Sequence, residues 1–250
     1  MVQTRRMPAR FFIDRPLRAE ETFPLPAGAA RHVQVLRLQP GAAITLFDGA
    51  GGEWAATVLQ MGRSEVTVQL GAHAPVDREL PLDVTLALGM PANERMDAVI
   101  EKATELGVAA IQPLMCERSV LRLNAERAQK KVAHWQAVAQ AACEQSGRTR
   151  VPAIGPVRTL SEWLAALPAG GAARWMLSLG DAQAVAAMAR AAHGVVCLSG
   201  PEGGLAPGEE SAARAAGFLP VSLGPRVLRA DTAPVALLAH LALGTAGAVA

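Results

Sequence analysis

Residues 194–233 read GVVCLSGPEGGLAPGEESAARAAGFLPVSLGPRVLRADTA. Two apolar runs, GVVCLSG (194–200) and GFLPVSLG (217–224), lie on either side of PGEESAARAA. Both runs are apolar on nearly every position, which predicts strands buried on both faces with a helix between them. The same rhythm extends toward the N-terminus. VTLALGM (84–90), AAIQPLM (109–115) and RWMLSL (174–179) are three more buried strands. The helices between them are ERMDAVIEKATEL, with Asn93 as its cap and Gly107 as its stop, and a long one from Asn124 to Gly147. Val132, Trp135, Val138 and Ala142 give the long helix an apolar stripe at a 3.6-residue period. A shorter helix holds Trp163 and Leu164, AQAVAAMARAA (182–192) reads as another, and a final one starts near Thr232 and ends near Leu243. Five strands, each followed by a helix, predict an α/β domain with a mainly parallel sheet covered on both sides.

Before residue 72 the pattern is different. RHVQVLRL, AAITLFDG, GGEWAATVLQ and SEVTVQL are short apolar runs separated by Gly and Pro, which suggests a small antiparallel sheet or barrel. GAHAPVDRELPL (71–82) reads as a connector, so the expected domains are 1–72 and 82–250.

With 51% hydrophobic and 18% charged residues in 250, the chain has material for a sizeable core; disorder and a disulfide-stapled miniprotein are excluded. Of its 24 basic residues 21 are arginine, so any anion site is an arginine site. Cys116, Cys143 and Cys197 are far apart, with no CxxC pair and no histidine at ligand spacing, so neither a metal site nor a disulfide framework is expected. None of the five histidines, His32, His73, His134, His193 and His240, receives a role. No secretory signal is read, and Pro234, His240, Gly244 and Gly247 break up the uncharged tail, which reads as a buried helix rather than a membrane span. A cytoplasmic, reduced protein is the expectation.

Ligands of open parallel sheets bind beyond the carboxyl ends of the strands. Two loops there stand out: Gly200-Pro201-Glu202-Gly203-Gly204, where the backbone can approach a flat ligand, and Gly224 to Thr232, with Arg226, Arg229 and Asp231. The first could equally be a tight turn, and Arg229 could simply pair with Asp231. The set lacks the Lys-Ser/Thr of a P-loop and the GxGxxG spacing of a dinucleotide fold. Glu117-Arg118-Ser119 and Glu144-Gln145-Ser146-Gly147-Arg148 are polar clusters at two further element ends.

Taken in order, KATELGV (102–108), ERS (117–119), EQSGR (144–148), GPEGG (200–204) and LGPRVLRADTA (223–233) resemble the bacterial small-subunit ribosomal RNA uridine-N(3) methyltransferases of the SPOUT superfamily. MPARFF (7–12) and HVQVLR (32–37) extend the resemblance over almost the whole chain. It departs at Ala230-Asp231, where the family usually has Thr-Glu. The resemblance implies a PUA-like β-barrel, a SPOUT domain threaded into a trefoil knot, S-adenosylmethionine as methyl donor, 16S rRNA in the small subunit as substrate, and a homodimer with a shared active site; it implies no metal and no membrane. The donor would be held by Leu179, Leu198, Gly200, Glu202, Gly203, Leu223, Gly224, Arg226 and Leu228. Arg229 or Arg118 would stabilise negative charge on the base, with Glu202 or Glu117 as proton acceptor; Arg148 and Glu144 are further candidates for these roles. RNA contacts are assigned to Arg10, Arg15, Arg31, Arg37, Glu144, Gln145 and Arg148, and Phe11 or Phe12 could stack on a base or pack in the core. A SPOUT ribose methyltransferase and a non-catalytic ribosome-assembly factor are the competing readings.

Overall fold

The computed structural model describes residues 8–168, 170–188 and 194–245, and divides into two compact units. The first comprises the chain up to Glu79 together with Cys143–Val151; the second comprises the remainder.

In the first unit, β1 (Arg10–Phe12), β2 (Thr22–Pro24), β3 (Ala43–Phe47), β4 (Glu53–Met61) and β5 (Val66–Ala74) form one sheet in the order β1-β3-β4-β5-β2. β1 runs parallel to β3 and the other pairs are antiparallel. Val66, Val68 and Leu70 alternate inward along β5 at the period of a half-buried strand, and with Phe11, Ile13, Leu46 and Val58 they make the core. One expectation fails here: RHVQVLRL is not a strand. A helix, α1 (Ala27–Val35), opens after Pro26 and buries Ala30 and Val33 one turn apart, leaving Val35 69% exposed. Its alternation of apolar and polar residues resembled a strand, but only the i, i+3 pair finds a core.

The second unit contains β6 (Val84–Gly89), α2 (Asn93–Glu105), β7 (Ala110–Met115), α3 (Ala125–Ser146), β8 (Ala153–Ile154), β9 (Arg158–Thr159), α4 (Leu160–Ala165), β10 (Ala173–Leu177), β11 (Gln183–Ala184), β12 (Val195–Ser199), α5 (Pro207–Ala215), β13 (Leu219–Ser222) and α6 (Thr232–Thr245). The last four residues of α3 fall in the first unit. Eight parallel strands make a mixed α/β domain, ordered β11-β13-β10-β12-β6-β7-β8, with β9 also on β7. Leu86, Ala87, Leu114, Met176, Cys197 and Leu198 are fully buried within it. Positive-φ glycines end α2 at Gly107 and α3 at Gly147, as the sequence predicts. Asn124 Oδ1 accepts from Arg127 N–H at 2.9 Å at the start of α3. At α2 the cap position is Ala92, and Asn93 is already the first helical residue.

The expected helix over 182–192 is a two-residue strand and one 3₁₀ turn, Val185–Ala187; residues 189–193, His193 among them, lie outside the described residues. Gln183 and Ala184 pair with Val221 and Ser222, and this ladder outweighs the helix preference of an alanine-rich segment. β13 lies beyond β10, yet α6 packs on α2 and β12. Residues 223–231 therefore cross back over the strand ends, as a threaded topology requires. The three cysteines are free and buried. Among the described residues no helix is long and apolar enough to cross a membrane.

Candidate active site

Because β12 and β13 flank β10, their carboxyl ends lie side by side, and the loops that follow (178–182, 200–206 and 223–231) line a cleft of about 500 Å³. That volume is in the ordinary range of small-molecule sites, about 300–1,000 Å³. Leu179, Leu223, Val227 and Leu228 provide apolar wall, while Ser178 and Ser199 offer hydroxyls. Arg118, Arg214 and Arg226 are matched by Asp181, Glu202 and Glu210. Such a balance gives no net positive field for a polyphosphate, in keeping with the missing phosphate motifs.

Close backbone approach requires glycine at two positions. A Cβ on Gly200 would stand 3.0 Å from Gly204 C and Leu205 N, so the GPEGG turn folds back on itself. Gly89 at the end of β6 lies beneath the same turn, where a Cβ would stand 2.5 Å from Pro201 Cδ and 2.6 Å from Pro201 N.

Polar ties fix the turn from three sides. Glu202 Oε1 accepts from Ala92 N–H at 3.0 Å and pairs with Arg95 at 3.5 Å, taking over the capping of α2 expected of Asn93. Arg118 Nη1 donates to Gly203 O at 3.1 Å and Leu205 O at 3.3 Å. Glu209 Oε2 accepts from Ala206 N–H at 2.9 Å, and its Oε1 from Glu117 N–H at 2.8 Å. Cys116, next to these groups, is inert as a nucleophile: burial pushes its thiol up to about 12.

Leu179, Gly200, Glu202, Gly203, Leu223, Gly224, Arg226, Leu228 and Arg118 all line the cleft. Leu198 does not: it is fully buried in the core beneath, and its neighbour Ser199 lines the cleft instead. Glu117 does not either: it is exposed, and it is held through its backbone, the amide donating to Glu209 and the carbonyl accepting from Arg122 Nη2 at 2.7 Å. Glu202 and Arg118 each carry a structural tie, the one from Oε1 to α2 and the other from Nη1 to the carbonyls of the turn. Arg229 is exposed between the lining residues Leu228 and Ala230. No ion pair joins it to Asp231 among the described residues, and Asp231 Oδ1 is buried without a partner.

The first unit sorts the expected RNA contacts by burial. Arg10 is 7% exposed; it pairs with Glu53, donates to Gly147 O and Arg148 O at 3.1 Å, and lies over the Phe47 ring. Arg148 is 4% exposed and pairs with Glu79. Both are internal structural cations, not phosphate contacts. Glu144 accepts from Phe12 N–H at 2.9 Å, and burial holds its carboxyl above the usual range. Phe11 is fully buried, and Phe12 packs on Phe47, so core packing accounts for both rings. Arg15 is held by Glu21 at 2.9 Å and over Phe23. Arg31 on α1, Arg37 in the turn after it and Gln145 remain exposed.

Ser178, Asp181, Ser199, Glu210 and Arg214 line the cleft without having been singled out from sequence. A signal existed for Glu210 and Arg214, which lie one helical turn apart on the helix that directly follows GPEGG. Asp181 carried none.

Residues 78–242 match the family model described as an RNA methyltransferase domain, and residues 25–71 match that of an RNA methyltransferase PUA domain. The chain is 36% identical to "Ribosomal RNA small subunit methyltransferase E" of Synechocystis over 89% of this chain and 73% of that one. The protein of the same name from Bacillus subtilis is 28% identical over 94% and 96%. Among solved structures, a ribosomal RNA small subunit methyltransferase E from Neisseria gonorrhoeae bound to S-adenosylmethionine aligns with TM-score 0.88 and 36% identity, covering 94% of this chain and 97% of that one. A Legionella pneumophila protein in complex with the same cofactor aligns with TM-score 0.90 and 33% identity, covering 95% and 98%.

Proposed function

Because the chain belongs to the RNA methyltransferase family, we propose that its cleft binds S-adenosylmethionine and that the protein methylates small-subunit ribosomal RNA, at N(3) of a uridine in 16S rRNA. The observation that carries this reading is the meeting of three strand-end loops at one cleft, in a chain whose similarly folded relatives from Neisseria gonorrhoeae and Legionella pneumophila were solved with that donor.

The cleft suits the donor. Leu179, Leu223 and Leu228 are apolar surfaces for an adenine, and the close-packed glycine turn brings backbone rather than side chains to the edge of the ring. The opposed charges of Glu210 and Arg214 complement the ammonium and carboxylate of a methionine tail. When bound, S-adenosylmethionine supplies a methyl group on a positively charged sulfur, which is the electrophile. The remaining work falls to the chain. Uracil N(3) is protonated at neutral pH, so its proton must leave and the charge that spreads onto the two carbonyl oxygens must be met. Arg229, exposed beside the cleft and with no ion-pair partner among the described residues, is the cation for that charge. Glu202 anchors the GPEGG wall through Oε1, which accepts from Ala92 and Arg95, and its Oε2 is a candidate acceptor for the proton.

We assign donor binding and chemistry to residues 82–250 and RNA binding to 1–72, where Arg31 and Arg37 are the exposed phosphate contacts. A cytoplasmic homodimer is the assembly we propose. The test combines calorimetry of the purified chain with S-adenosylmethionine and nucleoside mass spectrometry of small subunits after incubation. Donor binding together with 3-methyluridine supports the reading. A ribose-methylated nucleoside moves the chemistry to a hydroxyl, and a chain that ignores the donor is an RNA-binding factor without chemistry. Arg229→Ala is expected to bind the donor normally and lose about a hundredfold or more in turnover.

A further inference from the structure

Two charged side chains at the cleft wall, Arg118 and Glu209, close a circuit of hydrogen bonds and backbone whose centre, Glu209, is given no role in the chemistry. Glu209, in the first turn of α5, accepts backbone amides on both carboxylate oxygens, and the two amides belong to different segments. Oε2 takes Ala206 N–H at 2.9 Å and closes the start of its own helix. Oε1 takes Glu117 N–H at 2.8 Å, in the loop after β7. The next residue of that loop, Arg118, reaches back to Gly203 O at 3.1 Å and Leu205 O at 3.3 Å. Gly203 and Arg118 lie so close that a Cβ on residue 203 would stand 3.1 Å from Arg118 Cβ. From Leu205 the chain runs through Ala206 back into α5. The route from Glu209 to Glu117, Arg118, the glycine turn and back has no break.

We propose that Glu209 is a positioning residue for this cleft: it holds the 117–119 loop so that Arg118 can clamp the Gly203–Leu205 wall in the geometry the methyl donor requires. The role rests on the cleft being the donor site. A carboxylate is suited to it because two acceptor oxygens face two N–H donors and it brings no donor of its own. Glutamine satisfies one amide and turns an NH₂ toward the other, so Glu209→Gln breaks one tie and leaves one. The wall contacts the donor in ground state and transition state alike, so the effect falls on donor binding and not on turnover at saturation.

Amide hydrogen exchange and donor calorimetry on wild type, Glu209→Ala, Glu209→Gln and Arg118→Ala decide the matter, with kcat and KM for the donor measured beside them. In Glu209→Ala, exchange should quicken at 117–119 and at 203–205, donor Kd should rise about tenfold or more, and kcat should stay within a few-fold of wild type. Glu209→Gln should fall between it and wild type. Arg118→Ala should quicken 203–205 while the amide of Glu117 stays protected, which gives the circuit its direction. Should Glu209→Ala not fold, the other two variants carry the same contrast. Faster exchange confined to α5, with wild-type donor affinity, would reduce Glu209 to a helix cap and overturn the proposal. A wild-type chain that does not bind the donor overturns the site assignment instead, and exchange at 203–205 still tells whether the circuit exists.

Discussion

Gly89→Ala is the most direct probe of how tightly the glycine turn is seated. The added methyl would stand 2.5 Å from Pro201 Cδ, 2.6 Å from Pro201 N and 3.0 Å from Cys116 Sγ. Carbon atoms settle at about 3.5 Å, so the turn has to retreat by about 1 Å. It cannot do so by rotating a side chain, because the obstacles are a proline ring and backbone, held further by Glu202 on Ala92 and Arg118 on Gly203. Overpacking of this kind costs roughly 1–3 kcal/mol, which in a chain of this size lowers the melting temperature by about 2–4 °C per kcal/mol. The same displacement carries the GPEGG wall away from the ligand, so donor affinity falls, and a misplacement of about 1 Å can cost on the order of a hundredfold in rate as well. Scanning fluorimetry and calorimetry with S-adenosylmethionine read the two effects separately. A Gly89→Ala protein with both values unchanged would falsify the claim that β6 and the turn are in obligatory contact; a lower melting temperature with unchanged affinity would detach the turn from ligand binding.

Three other perturbations have definite outcomes. Arg10→Ala should cost about 2 kcal/mol in urea unfolding, because Glu53 loses one of its two guanidinium partners, Arg148 O loses this donor and Gly147 O keeps only Arg78; a loss below about 0.5 kcal/mol would place Arg10 among ordinary surface residues. The double change of Arg31 and Arg37 to Ala should leave stability alone and reduce the slope of log K against log salt for RNA binding by about 1.4, at about 0.7 per phosphate contact on single strands; an unchanged slope removes them from the interface. For Glu144 the sign is set by burial, which raises the folded pKa above the unfolded one, so its favourable contribution exists at low pH and is lost as pH rises through the folded value. Glu144→Gln, which keeps an acceptor for Phe12 N–H, should therefore gain on wild type as pH rises from about 4, the unfolded value, through the raised folded one, and a constant or shrinking gap in chemical denaturation contradicts the buried-carboxylate reading.

The parallel domain was legible in sequence wherever burial on both faces left an uninterrupted apolar run, as at 84–89, 110–115 and 195–199. Legibility failed where tertiary partners overrode local preference. Gln183 and Ala184 are strand because β13 offers a free ladder, and nothing within their own segment says so. Val33 and Val35 alternate like a strand, yet the core takes only Val33 and Ala30. The strand-end loops were correctly located, because glycine-rich turns after buried strands converge by topology. Individual roles were harder, since an arginine or a glutamate in a motif carries no mark of its partner. Arg10 and Arg148 read as phosphate ligands and are buried ion pairs; Glu202, one of three candidate proton acceptors, also caps a helix. Glu209 drew no notice because its value lies in an amide 92 positions away.

The placement of β12 between β6 and β10 sets a timetable for biosynthesis. β6 pairs on one side with β7, which follows soon after, but on the other with a strand about 110 residues downstream. At roughly 5–20 residues per second of translation, one flank of a mostly apolar strand stays bare for on the order of 6–20 s. Such an edge is a template for pairing with other chains. Nascent chains of this protein should accordingly be avid clients of whatever holds emerging polypeptides apart, and production at low temperature, which slows aggregation during that interval, should improve the soluble yield.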